Sequence, residues 1–192
     1  MASPVSSTRS RALLLLAVLA LAGCSPQASG ASGSNGAAET RVGKALASDG
    51  TQSSGTVGNE NAKVGEVWYF ALPVPNNTSS QPIEITDVAL KRIPAGIEVL
   101  GYGAYHLEDT GGLPLLAKEG GEYTPDFGKL KNYAPEPLKV EAEKSSDIFY
   151  LAKLKITAPP KESARWCRFD YRQAGQAYTQ TMDCEVELTV AE

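Results

Sequence analysis

The sequence predicts an all-β fold: an antiparallel sandwich of about seven or eight strands behind a disordered tether. Three observations carry this. From about residue 62 the chain breaks into short runs rich in aromatic and β-branched residues. Pro, Gly and Asn clusters punctuate those runs. No stretch carries the 3.6-residue apolar period of an amphipathic helix.

The N-terminus has the parts of an export signal. Arg9 and Arg11 are basic, Ala12–Leu21 is continuously apolar, and Leu21-Ala22-Gly23-Cys24 follows. The apolar run is about half the ~20 residues of a spanning helix. Leu-Ala-Gly-Cys resembles the lipobox of bacterial lipoproteins. The resemblance implies cleavage after Gly23, so that 1–23 is a lipoprotein signal peptide, and diacylglycerol on the Cys24 thiol. Two or three acyl chains would hold the protein stably on a membrane.

Residues 24–61 read as a flexible tether. Of the twelve residues Ser25–Gly36, seven are Gly or Ser, and the sparse apolar residues have no period. As a coil, ~36 residues would span about 33 Å. Arg41–Ala47 is given no structure, and deletion of Ser25–Gly55 is expected to leave the fold unchanged.

Residues 62–192 are long enough for one domain with one core. Six clear strands are expected: Val64–Leu72, Ile83–Leu90, Ile97–His106, Asp147–Thr157, Ala164–Gln173 and Ala177–Val190. Leu113–Ala117 and Leu138–Ala142 are weaker. The segment Gly65–Leu90 (GEVWYFALPVPNNTSSQPIEITDVAL) resembles the opening hairpin of immunoglobulin-like domains in exported bacterial lipoproteins. That resemblance implies the sandwich and no activity.

Cys167 and Cys184 are expected to form a disulfide. Export implies an oxidising compartment, and once Cys24 carries lipid these are the only thiols left. A type II′ turn at Gly175-Gln176 would place Cys167 directly opposite Cys184 in a non-hydrogen-bonded pair, Cα atoms about 4.5 Å apart. Phe169, Tyr171, Met182, Val186, Leu188 and Val190 then share the buried cysteine face. Arg168, Asp170, Arg172, Asp183, Glu185 and Glu187 take the other, with Arg168 opposite Asp183 and Trp166 opposite Glu185.

Candidate functional residues are few. His106 is the only histidine, at a strand end near Glu108 and Asp109; it could ligate a metal or act as a base, but reads as a surface residue. No metal or cofactor site is expected. Carboxylates are numerous, among them Glu84, Glu98, Glu108, Glu119, Glu122, Asp126, Glu136, Glu141 and Glu143, and a glycosidase needs only two. Tyr102, Tyr105, Tyr123 and Tyr133, with Trp68 and Trp166, could form a sugar- or protein-binding platform. The Lys118–Pro137 loop is the first candidate for a partner surface. Asn76-Asn77-Thr78-Ser79 holds two overlapping sequons and reads as a polar turn.

The chain's net charge is −4, and loss of Arg9 and Arg11 with the leader makes it more negative, so no nucleic-acid partner is expected. The expected function is that of a non-catalytic binding or envelope-accessory module. It would be lipid-anchored on the outer face of the cell membrane, or on the outer membrane of a two-membrane cell, and would bind an envelope protein or glycan. The alternatives are a carboxylate-based hydrolase of envelope or extracellular glycans and a purely structural spacer. A hydrolase should show a concave pocket holding carboxylates of perturbed pKa, and a binder a flat or ridged aromatic patch instead.

Overall fold

The computed structural model describes residues 39–47 and 52–191. The expected signal peptide 1–23, Cys24 and the expected tether as far as residue 38 lie outside the described residues. The described chain is all-β, with no helix. Its strands are β1 (Arg41–Val42), β2 (Thr56–Ala62), β3 (Val67–Ala71), β4 (Asn76–Asn77), β5 (Ile83–Arg92), β6 (Ile97–His106), β7 (Leu116–Lys118), β8 (Leu138–Val140), β9 (Lys144–Ser145), β10 (Ile148–Ile156), β11 (Ala164–Gln173) and β12 (Gln176–Val190).

Two main sheets pack face to face. The first runs β12-β11-β5-β8, with β1 and β2 one after the other along the outer edge of β12; the second runs β6-β10-β3-β7. A small β4-β9 ladder closes one end. Trp68, Phe70, Leu154 and Ile156 of the second sheet meet Ile85, Val88, Phe169, Met182 and Val186 of the first in one core. Tyr150 and Phe169 touch edge to face across it, centroids 6.2 Å apart.

The folded region begins well before residue 62, which corrects the expected tether boundary. β2 pairs with β12 from Thr56 onward, and β1 pairs with Tyr178 and Thr179. Both run parallel to β12, so the sandwich is not wholly antiparallel. Ala45 and Leu46 are buried in the main core. The expectation that Ser25–Gly55 could be removed without effect is therefore also wrong. The physical reason lies in what holds these segments. β2 (TVGNENA) is an edge strand on backbone hydrogen bonds; Ala62 is buried and Val57 packs against the core. Such a strand has no apolar period to detect.

The β11–β12 hairpin corrects the expected register while keeping its faces. The turn falls on Ala174-Gly175, both at positive φ (48° and 79°), as a type I′ turn requires. Arg172 then pairs with Ala177 and Cys167 with Met182, two residues out from the expected register. A two-residue shift leaves every side chain on its face, because the strand period is two. Phe169, Tyr171, Met182, Val186 and Leu188 are accordingly buried. Four residues, 164–167, then span five on β12, 182–186. Trp166 takes a φ of 65° in this bulge. The bulge brings Cys184 diagonally to Cys167, and the two form a disulfide with Cα atoms 5.8 Å apart, inside the usual range. The expected cross-strand pairs change with it. Arg168 stands opposite Thr181 and pairs with Asp87 and Asp170, and Glu185 stands opposite Arg165 rather than Trp166.

Candidate functional site

The second sheet is buried on its inner face and partly covered on its outer one, and this builds the site. Alternation along β3 sends Trp68 and Phe70 into the sandwich core and Tyr69 and Ala71 to the outer face. Along β10, Phe149 and Leu151 go outward with Tyr69, while Tyr150, Ala152 and Leu154 go inward. Lys153, two residues beyond Leu151, shares the outward face. The register aligns these residues in rows. Gly101, Lys153 and Tyr69 stand side by side across β6, β10 and β3, and Gly103, Leu151 and Ala71 form the next row.

The chain following β7 folds over this outer face. Phe127 is 5% exposed and wedges its ring between Tyr69 and Tyr105, with centroids 4.6 and 4.8 Å away. Glu119 N–H donates to the Val67 carbonyl, and the Thr124 hydroxyl donates to the Lys118 carbonyl at 2.7 Å. Further on, Tyr133 N–H donates to the Ala104 carbonyl, while Asn132 Oδ1 accepts from Ala104 N–H. The Lys118–Pro137 stretch is thus a tied-down cover rather than a free loop.

Between this cover and the sheet lies an open cleft of about 570 Å³, within the usual size of small-ligand sites. Tyr69, Gly101, Gly103, Tyr105, Leu151 and Lys153 form its floor, and Glu119 and Thr124–Gly128 its wall. Glycine is needed at 103 because the Tyr105 ring folds back over it: a Cβ there would lie 2.6 Å from Tyr105 Cε2. A Cβ on Gly101 would point into open space. The two glycines keep the floor deep.

One polar group stands among these rings. Glu119 Oε1 accepts from the Tyr69 hydroxyl at 2.7 Å and from Lys153 Nζ at 2.6 Å. The Lys153 ammonium also lies 5.5 Å from the Tyr69 ring centroid. The hydrogen bond from Lys153, with that from Tyr69, holds the Glu119 carboxyl below its ordinary value. The bond to Glu119 raises Lys153 in turn. Burial and the bond to Glu119 raise the Tyr69 phenol, and burial raises that of Tyr105. Asp126 on the rim is lowered by Lys129, 2.8 Å away. At neutral pH the cleft therefore presents ionised carboxylates, a protonated lysine and neutral phenols.

A pH prediction follows from the Glu119 shift. The folded-state value lies below the unfolded one, so the contribution of Glu119 is complete above the ordinary carboxylate range. It is lost as pH falls through the depressed value. The group is 44% exposed, which keeps the effect below about 1 kcal/mol. Thermal melts of Glu119→Gln should show a shallower loss of stability than wild type between about pH 5 and pH 3. Parallel acid limbs would contradict the ion pair.

The four candidate tyrosines do not form one platform. Tyr102 and Tyr105 both border the cleft, but their rings lie on opposite faces of β6. Tyr102 packs with the main core and its hydroxyl accepts the Leu90 N–H at 2.8 Å, whereas Tyr105 belongs to the outer cluster. Tyr123 is 90% exposed, and neither it nor Tyr133 lines the cleft. Tyr133 packs against the main core with the Lys131 ammonium over its ring. Trp68 is core, and Trp166 is exposed on the other sheet. His106 Nδ1 accepts the Glu108 N–H at 3.2 Å. Among the described residues no three His, Cys, Asp or Glu side chains cluster as metal ligands would. Sequence reasoning passed over Tyr69, Lys153 and Phe127. The signal was present: VWYFAL and IFYLA run apolar without alternation, as strands covered on both faces do.

Neither family models, curated proteins nor solved structures show a match to the chain.

Proposed function

We propose that this chain is a lipid-anchored, extracytoplasmic β-sandwich that binds a component of the cell envelope in the cleft between Tyr69, Lys153 and Glu119. The leader and Leu21-Ala22-Gly23-Cys24 support the anchor, and the Cys167–Cys184 disulfide is in keeping with an oxidising compartment. With the fold beginning by Glu39, only residues 25–38 separate anchor from sandwich. However they run, fourteen residues reach no more than about 50 Å, so the cleft works close to the membrane.

The immunoglobulin-like reading is supported by strand order. β5-β11-β12 share one sheet and β3-β10-β6 the other, which is how the C-F-G and B-E-D strands of such domains divide. The disulfide departs from that pattern, joining neighbours in one sheet.

The observation that carries the binding reading is the cleft itself: a rigid aromatic floor, a tied-down wall and a polar pair in its middle. The site is a concave cleft with carboxylates of shifted pKa, as expected of the hydrolase alternative and not the flat aromatic patch expected of a binder, but the direction of the shifts argues against the hydrolase. An acid–base hydrolase needs one carboxyl kept protonated by a raised pKa, and both cleft carboxyls are pushed the other way.

A photo-crosslinking residue at Thr124, on the cleft wall, should yield an adduct with an envelope component in intact cells. The same residue at Thr181, exposed on β12 of the other sheet, should not. Adducts from position 181 with none from position 124 would overturn the assignment.

A further inference from the structure

Taking the cleft as the binding site, we propose that its ligand is a neutral, polyhydroxylated ring, a segment of an uncharged glycan, rather than a peptide or an ionic polymer.

Charge balance is the first reason. Each carboxylate lining the cleft already holds an ammonium: Glu119 holds Lys153 at 2.6 Å and Asp126 holds Lys129 at 2.8 Å. A charged ligand would have to break an existing pair, whereas a neutral one would not.

The remaining hydrogen-bonding capacity is the second. Glu119 Oε1 is shared by Tyr69 and Lys153, while Oε2 accepts no hydrogen bond among the described residues. The Lys153 ammonium has three donors and gives one to Glu119. With the Tyr69 hydroxyl also beside the ammonium, one donor remains, so a free acceptor and a free donor stand side by side. That is what a vicinal diol matches, since each hydroxyl both gives and accepts.

The third is the floor. Leu151 and the rings of Tyr69, Tyr105 and Phe127 are packed together and each less than a tenth exposed, so they offer a narrow apolar floor of ring edges for the C–H groups of one sugar ring. The rings are already packed on one another, so little order is lost on binding. The same floor argues against an extended peptide. Strand-like peptides add to a free sheet edge, but the floor is a sheet face whose β6, β10 and β3 backbones already pair with one another.

The test titrates the full chain, in detergent, with chitotetraose, cellotetraose and maltotetraose, and in parallel with a polylysine and a polyglutamate peptide, following protein NMR signals. At least one oligosaccharide should shift the signals of Tyr69, Gly101 and Lys153, and neither peptide should. Glu119→Gln and Lys153→Met should each weaken that binding at least tenfold with little change in melting temperature. Arg172→Ala, on the other sheet, should not. Oligosaccharide binding that survives both cleft substitutions would overturn the proposal, as would cleft shifts caused by a charged peptide alone. If no oligosaccharide binds while Thr124 crosslinks to a protein, the glycan assignment falls and the cleft assignment stands. If neither occurs, both fall.

Discussion

Asn77→Asp should be among the most damaging single substitutions in this protein, although it exchanges one atom. Asn77 is fully buried. Its Nδ2 donates to the carbonyls of Gln81, Val140 and Glu141 at 2.8, 3.3 and 3.0 Å. Its Oδ1 accepts the Ser79 N–H and hydroxyl at 3.0 and 2.7 Å. The side chain thereby ties the β4 corner to the entry of β5 and the exit of β8. A carboxylate there would face three carbonyl oxygens with no donor of its own. Breaking such a buried network costs about 3–5 kcal/mol, which is roughly 6–20 °C in Tm for a domain of this size. Burial would raise the pKa of the introduced carboxyl in the fold, so its charged form is the destabilising one. The penalty should be greatest at neutral pH and shrink as pH falls toward the ordinary carboxylate range. Asn77→Ala should be destabilised without that pH dependence. A Tm within two or three degrees of wild type for Asn77→Asp at pH 7 would contradict this account of the corner.

Gly43→Ala is the second large effect. Residues 39–47 form a strap across β12 and β11. Gly43 N–H donates to the Thr179 carbonyl at 2.7 Å, and Ala45 N–H donates to the Tyr171 hydroxyl at 3.0 Å. The buried Gln180 amide takes Leu46 N–H and gives to the Leu46 carbonyl at 3.1 and 2.6 Å, doing with a side chain what a strand does with its backbone. A methyl on Gly43 would lie 2.2 Å from the Tyr171 hydroxyl. That ring cannot swing aside: Tyr171 is buried and stacked on Tyr178, centroids 5.4 Å apart. Either the strap lifts, exposing Leu46 and Tyr171, or the ring is expelled. The expected cost is about 2–4 kcal/mol, with new cleavage between residues 39 and 47 in limited proteolysis. Gly128→Ala is the control, since its Cβ would meet only Asp126 Oδ1 at an ordinary 3.4 Å. Equal stability and protease resistance in the two variants would show that the strap does not depend on Gly43.

These two positions mark where the sequence stopped being readable. The six main strands were legible because each is a run rich in aromatic and β-branched residues bounded by turn signals, alternating in β5, β11 and β12 and apolar throughout in β3 and the start of β10. Ile97–His106 and Ala164–Gln173 match the structure to the residue. The strap was not, because its hold comes from a glycine, a tyrosine hydroxyl and a glutamine amide, which look alike in a linker and in a fold. Asn77 was legible as a corner residue, but its burial depends on Val140 of β8, 63 residues away. The disulfide was legible through chemistry that holds for several registers. Its register was not, because Ala174 occupies a left-handed position where sequence preference puts Asn, Asp or Gly. The cleft joins residues from β3, β6, β10 and the cover, and no local pattern spans them. Only the double-sided apolar runs hinted that something must lie over that face.

The proposed anchor at Cys24 would fix the compartment and bring the cleft within reach of the envelope. Intact-mass and N-terminal peptide analysis of the protein isolated from its native membranes tests this directly. The account predicts a mature chain beginning at Cys24, with diacylglycerol on the thiol and residues 1–23 removed. An unmodified chain beginning anywhere else would contradict it.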